Sequence, residues 1–166
     1  MARKKKGNPS PELPPTRGVP SGECMWLPKH YGAEVRAKGG ISSRIRWDLA
    51  EVVDFLFPHK YQPKYHSIAL EFLSLVLDKD VVGKEDIAVF LSESGYSRST
   101  LENKIIPKLA RCGLIKRERE ASGMMGKKSR ALVISASLTY SNYLAKISSE
   151  WETLVETARH RRKKKE

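Results

Sequence analysis

The sequence predicts a mainly α fold carrying one small β-hairpin, and three stretches lead to that reading. Residues 83–120, GKEDIAVFLSESGYSRSTLENKIIPKLARCGLIKRERE, hold two helical patterns separated by a tight corner. Residues 114–134 place two apolar strand starts on either side of a glycine- and lysine-rich loop. Residues 137–160 run without proline or glycine and repeat apolar side chains at helical spacing.

The first helix of the pair is expected over Lys84 to Ser94, where Ile87, Phe90 and Leu91 form an apolar stripe. Gly95 supplies the left-handed residue that ends a helix, so Gly95-Tyr96-Ser97 makes the corner. The second helix opens on Ser97-Arg98-Ser99-Thr100, with Ser99 and Glu102 in the spacing of a capping box. Leu101, Ile105 and Leu109 point inward, and Gly113 closes the element. Outward are Arg98, Glu102, Asn103, Lys104, Lys108 and Arg111. Long cationic and amide side chains suit the major groove, where Arg and Lys read guanine and Asn reads adenine. Pro107 inside this helix removes a hydrogen bond and disfavours helix at Ile106, which predicts a kink or a split.

Leu114 to Arg119 then reads as a strand, Ala121 to Lys128 as a basic loop, and Ser129 to Ile134 as a returning apolar strand. Here the chain resembles the winged helix-turn-helix DNA-binding family, and the phrase SRSTLENKIIPKLARCGLIKRERE carries the likeness. It is similar to bacterial and archaeal transcription regulators in its Ser-x-Ser-Thr start, its late Leu and its Gly-Leu-Ile before the hairpin. The likeness spans residues 65–136 and is more specific for fold than for function.

Outside that region, residues 1–23 form a basic, proline-rich arm expected to be disordered. Residues 24–64 form an extension with a short helix over Trp47 to Phe57, stopped by Pro58. Within it Arg36, Lys38, Arg44 and Arg46 flank a Gly39-Gly40 hinge. They fit either an arm along phosphates or an ordered extension with a solvated basic face. Tyr65 to Asp78 is a longer helix with Ile68, Ala69, Phe72, Leu73 and Val76 as its core face. Trp47, Phe55, Phe57 and Phe72 are read as core, not as a base-stacking platform.

At the carboxy end, Tyr140, Leu144, Ile147, Trp151, Leu154 and Ala158 are spaced 4, 3, 4, 3 and 4 apart, the seam of a short coiled coil. The amphipathic helix over 137–160 either pairs two copies into a homodimer or folds back on its own domain; the homodimer is favoured. Residues 161–166 form a basic, disordered tail.

The net charge of +12 concentrates in the two ends and points to a polyanionic partner. No apolar stretch spans a bilayer and no signal-peptide core is present, so a cytoplasmic, nucleoid-associated protein without membrane contact is expected. Cys24 and Cys112 are the only cysteines, and nothing in their spacing favours a disulfide. Cys24 with His30 falls short of a four-ligand zinc site, and neither metal nor cofactor is expected. No nucleophile elbow, phosphate loop, dinucleotide fingerprint or HExxH occurs, and Glu71, Glu85 and Asp86 are read as outer-face acids without the paired setting that acid–base catalysis needs. The chain therefore reads as a binder, not an enzyme.

The leading expectation is a sequence-preferring transcription regulator on double-stranded DNA. Arg98, Ser99, Asn103 and Lys104 would approach base edges, with Lys108 on the same helix. Ser97 and Thr100 would contact phosphate, and Lys116, Arg117, Arg119, Lys127, Lys128 and Arg130 would follow the backbone or minor groove. Two alternatives stand beside it. One is an RNA- or ribosome-associated factor driven by the basic tails. The other is a docking module of a replication or transcription assembly, to which Glu102, Glu118 and Glu120 lend weight.

Overall fold

The computed structural model describes residues 25–27, 46–119 and 132–164. It is mainly helical with one two-stranded antiparallel hairpin. The disordered arm expected over 1–23, the basic loop at Lys127 and Lys128, Arg130, and the last two residues of the tail lie outside the described residues. So do Cys24, His30 and the hinge at Gly39-Gly40. The chain divides into two compact units, residues 1–70 and 71–166.

In the first unit, helix α1 (Leu49–Asp54) is shorter than the stretch expected over Trp47 to Phe57. A complete capping box opens it: Asp48 Oδ1 accepts from the Glu51 N–H, and Glu51 Oε2 accepts from the Asp48 N–H, both at 2.9 Å. Its end tightens, with the Leu56 N–H reaching Val53 O at 2.9 Å. The next turn follows Pro58, whose carbonyl accepts from the Tyr61 and Gln62 N–H groups. Helix α2 (Pro63–Asp78) starts on a proline, which suits a first-turn position where the missing N–H has no helical partner anyway. Val53, Leu56, Phe57, Ile68 and Ala69 are buried. His66 is buried too, its Nε2 at 3.3 Å from both Ala50 O and Asp54 Oδ1.

The second unit begins within α2, whose Phe72, Leu73 and Val76 are at most 3% exposed, as the stripe predicts. Helix α3 (Lys84–Ser94) has the predicted bounds. Asp86 caps it by accepting from the Gly83 N–H at 2.8 Å, and it also pairs with Lys79. These two bonds hold the Asp86 carboxyl below its ordinary value, and Glu71 accepts from the Tyr96 hydroxyl at 2.7 Å. Ile87, Phe90 and Leu91 are half-buried, and the Phe90 ring sits 5.8 Å from Phe72.

After the corner come a single turn α4 (Arg98–Thr100), a π-helical stretch (Leu101–Ile105) and helix α5 (Ile106–Cys112). They form one winding, and the π turn is the form that the kink predicted at Pro107 takes. The Pro107 ring would collide with the carbonyl four residues back, and it offers no N–H. One extra residue in the preceding turn lets the Ile106 N–H bond to Leu101 O and resets the ladder before the proline. Leu101, Ile105 and Leu109 are fully buried, with Ile106 beside them.

Strands β1 (Ile115–Arg119) and β2 (Leu132–Ala136) pair from Ile115 with Ala136 to Arg119 with Leu132. Val82, between α2 and α3, bridges Ile134 through reciprocal backbone bonds of 2.7 and 2.9 Å. Helix α6 (Thr139–Lys163) follows, and it runs through Arg161, Arg162 and Lys163, which were expected in the disordered tail. Its start is tied down by the Tyr140 N–H to Gly113 O at 2.9 Å and the Ser137 N–H to Leu114 O at 2.8 Å.

The two left-handed glycines terminate their helices differently. At Gly95 (φ 68°) one bond runs to Leu91 O, and no atom lies within 4 Å of where a Cβ would stand. At Gly113 (φ 82°) the Gly113 and Leu114 N–H groups bond Ala110 O and Leu109 O, a Schellman closure. A Cβ there would stand 2.9 Å from Thr139 Cβ. Gly95→Ala is therefore expected to cost about 1–2 kcal/mol, the left-handed penalty alone. Gly113→Ala should cost clearly more, because α6 must also move; equal losses in urea unfolding would contradict this placement.

Candidate nucleic-acid interface

The winding from Arg98 to Cys112 presents most of the side chains that the sequence singles out. Ser97 is its N-cap in extended conformation, with no side-chain capping bond. Ser97, Arg98, Ser99, Asn103, Lys104 and Arg111 are exposed, and Thr100 is half-buried. The capping box expected from Ser99 and Glu102 does not form, because the helix starts two residues earlier than that pattern requires. Ser99 instead accepts from Asn103 Nδ2 at 3.1 Å, one turn on, which steadies the amide. Glu102 takes Arg98, with Oε1 3.1 Å from Nε.

Lys108 corrects the outward set. It is only 6% exposed, on the buried stripe between Ile105 and Leu109. The spacing already puts it there, three residues beyond Ile105. A lysine can line such a stripe because its four-carbon stem packs as an apolar chain. Lys108 does not belong with the solvent-facing cations.

On β1 only Ile115 is buried; Lys116, Arg117, Glu118 and Arg119 are exposed. Strand alternation puts Arg117 and Arg119 on the side of Ile115 and Lys116 on the other with Glu118. Lys116 Nζ and Glu118 Oε1 are 3.1 Å apart. Two of these exposed cations, Arg98 and Lys116, are thus each held by a local carboxylate. Exposed pairs of this kind contribute only about 0–1 kcal/mol and open readily to a competing anion. The Arg98–Glu102 pair follows the four-residue spacing that favours side-chain pairing on a helix, so that signal was present in the sequence.

Near the end of α5, Cys112 is half-buried and free. Burial pushes its thiol above the ordinary value, against the opposing pull of Lys108 and Arg111. A thiol raised in this way is protonated more of the time and so is a weaker nucleophile. Burial likewise raises the Tyr140 phenol, with Cys112 adding to the shift. Among the described residues no group of three or more His, Cys, Asp or Glu side chains could hold a metal ion. No described helix is long and apolar enough to cross a membrane. The sequence matches no protein-family model and no curated protein.

Burial separates two lysines that look alike in sequence. Lys104→Ala is expected to leave stability within about 0.5 kcal/mol of the parent, as exposed positions usually do. Lys108→Ala should cost about 1–3 kcal/mol through lost packing and a disturbed buried group. Chemical unfolding of the two variants decides it; similar losses would put Lys108 back on the surface.

Proposed function

We propose that this chain is a winged-helix protein that binds double-stranded DNA and acts as a transcription regulator, with Arg98–Cys112 as the recognition element. The observation that carries the reading is the juxtaposition of two features in one unit. A helix–corner–helix winding displays Arg98, Asn103, Lys104 and Arg111. The hairpin that follows displays Lys116, Arg117 and Arg119. The order of helix, bridging Val82, two helical elements and hairpin supports the winged-helix assignment. The +12 charge supports a polyanionic partner.

In this reading Arg98, Ser99, Asn103 and Lys104 approach base edges, and Ser97 and Thr100 lie near phosphate. The β1 cations follow the backbone, joined by Lys127, Lys128 and Arg130 of the intervening segment. Self-association through residues 137–160 would place two such elements on half-sites about a helical turn, ~34 Å, apart. Arg98 must exchange Glu102 for a base or phosphate, which makes Glu102 a brake on affinity.

The test is selection from a random duplex pool at near-physiological salt with excess structured RNA as competitor. A recovered motif is expected. Loss of the protein to RNA would favour an RNA-associated factor, and duplex retained without any motif would mean binding driven by the basic ends. On the recovered site, Arg98→Ala and Asn103→Ala should each cost about 1–3 kcal/mol and relax preference at one position. Lys116→Ala and Arg117→Ala should weaken all sequences alike and flatten the salt dependence. Glu102→Gln should tighten binding. Unchanged affinity and preference in both Arg98→Ala and Asn103→Ala would remove this winding from the groove.

A further inference from the structure

Helix α6 leaves the domain after its first turn with an apolar face in water. Leu144 is 39% exposed, Ile147 62%, Trp151 67% and Leu154 62%, with Tyr143 at 63% beside them. A 25-residue helix is about 37 Å long, and isolated helices with such a face are marginal in water. The contiguous stripe marks an interaction surface.

We infer that the occupant of this face is the α6 helix of a second copy, running antiparallel, with Leu144 against Leu154 and Ile147 against Trp151 across a two-fold axis normal to the helices. The spacing is the first ground. The intervals 4, 3, 4, 3 and 4 from Tyr140 to Ala158 read the same in both directions. A two-fold interface pairs residue i with j and j with i, so from Tyr140 to Ala158, short of Arg161, the stripe can meet itself when reversed, and the size and charge of the paired side chains decide between reversed and parallel packing. Size is the second ground. Reversal sets Trp151 on Ile147 and Leu154 on Leu144, whereas parallel pairing stacks Trp151 on Trp151 and leaves Ala158 on Ala158.

Charge is the third ground and the strongest. The last turn of α6 carries His160, Arg161, Arg162 and Lys163 after Arg159, and Arg161 continues the seam three residues beyond Ala158. Parallel helices would bring these cations of both copies together and place two Arg161 side chains at consecutive core contact. Antiparallel helices put the two basic ends at opposite extremes. One like-charge contact remains, between the two Glu150 side chains beside the axis, and Lys146 of the same helix already pairs with each.

This inference deepens the self-association in the proposed function and owes nothing to its DNA-binding part, so its test omits DNA. The photo-cross-linking residue p-benzoylphenylalanine replaces Leu154 in the full chain, which is irradiated and digested with trypsin. Lys146 divides the two candidate targets into separate peptides, residues 131–146 and 147–159. A covalent dimer joining position 154 to 131–146 is the expected result. A cross-link from 154 into 147–159 of another copy would overturn the antiparallel register while leaving self-association standing. Sedimentation of the unmodified chain supplies the second arm. A dimer is expected, weakened more than about tenfold by Trp151→Glu, a change at an exposed position that should leave the circular dichroism of the monomer intact. A monomer at micromolar concentration, or a dimer indifferent to Trp151→Glu, would overturn the inference altogether.

Discussion

Two backbone hydrogen bonds between Val82 and Ile134 hold the second unit in its arrangement. Both residues are at most 2% exposed, and each donates to the other. A lone two-stranded hairpin is marginal in water. The bridge gives β2 a second neighbour, and Ile115 on β1 is buried alongside. Val82 also sits one residue before the Gly83 N–H that Asp86 caps, so the same short segment anchors the hairpin and starts α3. The cations of β1 are placed by this bridge and by the register it fixes, not by their own pairing.

The second constraint is Pro107. An uninterrupted α-helix from Arg98 to Cys112 would carry one phase, and the proline disfavours it by removing one hydrogen bond and crowding the carbonyl four residues back. The π turn over Leu101–Ile105 absorbs the conflict in the middle of the element while Leu101, Ile105, Ile106 and Leu109 all stay buried. The exposed side chains Arg98, Asn103 and Lys104 lie at or before that turn, and Arg111 lies after it.

Much of this was legible in the sequence, for physical reasons that can be named. α3 and its glycine stop follow from a strong apolar period and a left-handed residue, both local properties. The core face of α2 was equally plain, because five apolar residues recur on one side of it. Lys108 was misread because its charge outweighed its spacing, although burial follows position when a long stem can pack. Ser99 matched a capping pattern that Ser97 pre-empted, a choice made by the corner and not by the motif. The π turn had only Pro107 as its herald, and sequence marks the conflict without saying how the backbone resolves it. That Asp86 and Glu71 are partnered depends on Lys79 and Tyr96 on other segments, which periodicity does not register.

What joins these features is a surface in which buried apolar residues and a bridged hairpin set the positions of exposed cations. The most direct test of that surface as the DNA contact is titration of the isotope-labelled full chain with short duplex DNA, followed by amide chemical shifts. Shifts are expected to concentrate at Arg98 to Lys104 and at Ile115 to Arg119, with Lys108 moved little. Shifts confined to Arg159 to Lys163, with the winding and hairpin unmoved, would contradict it.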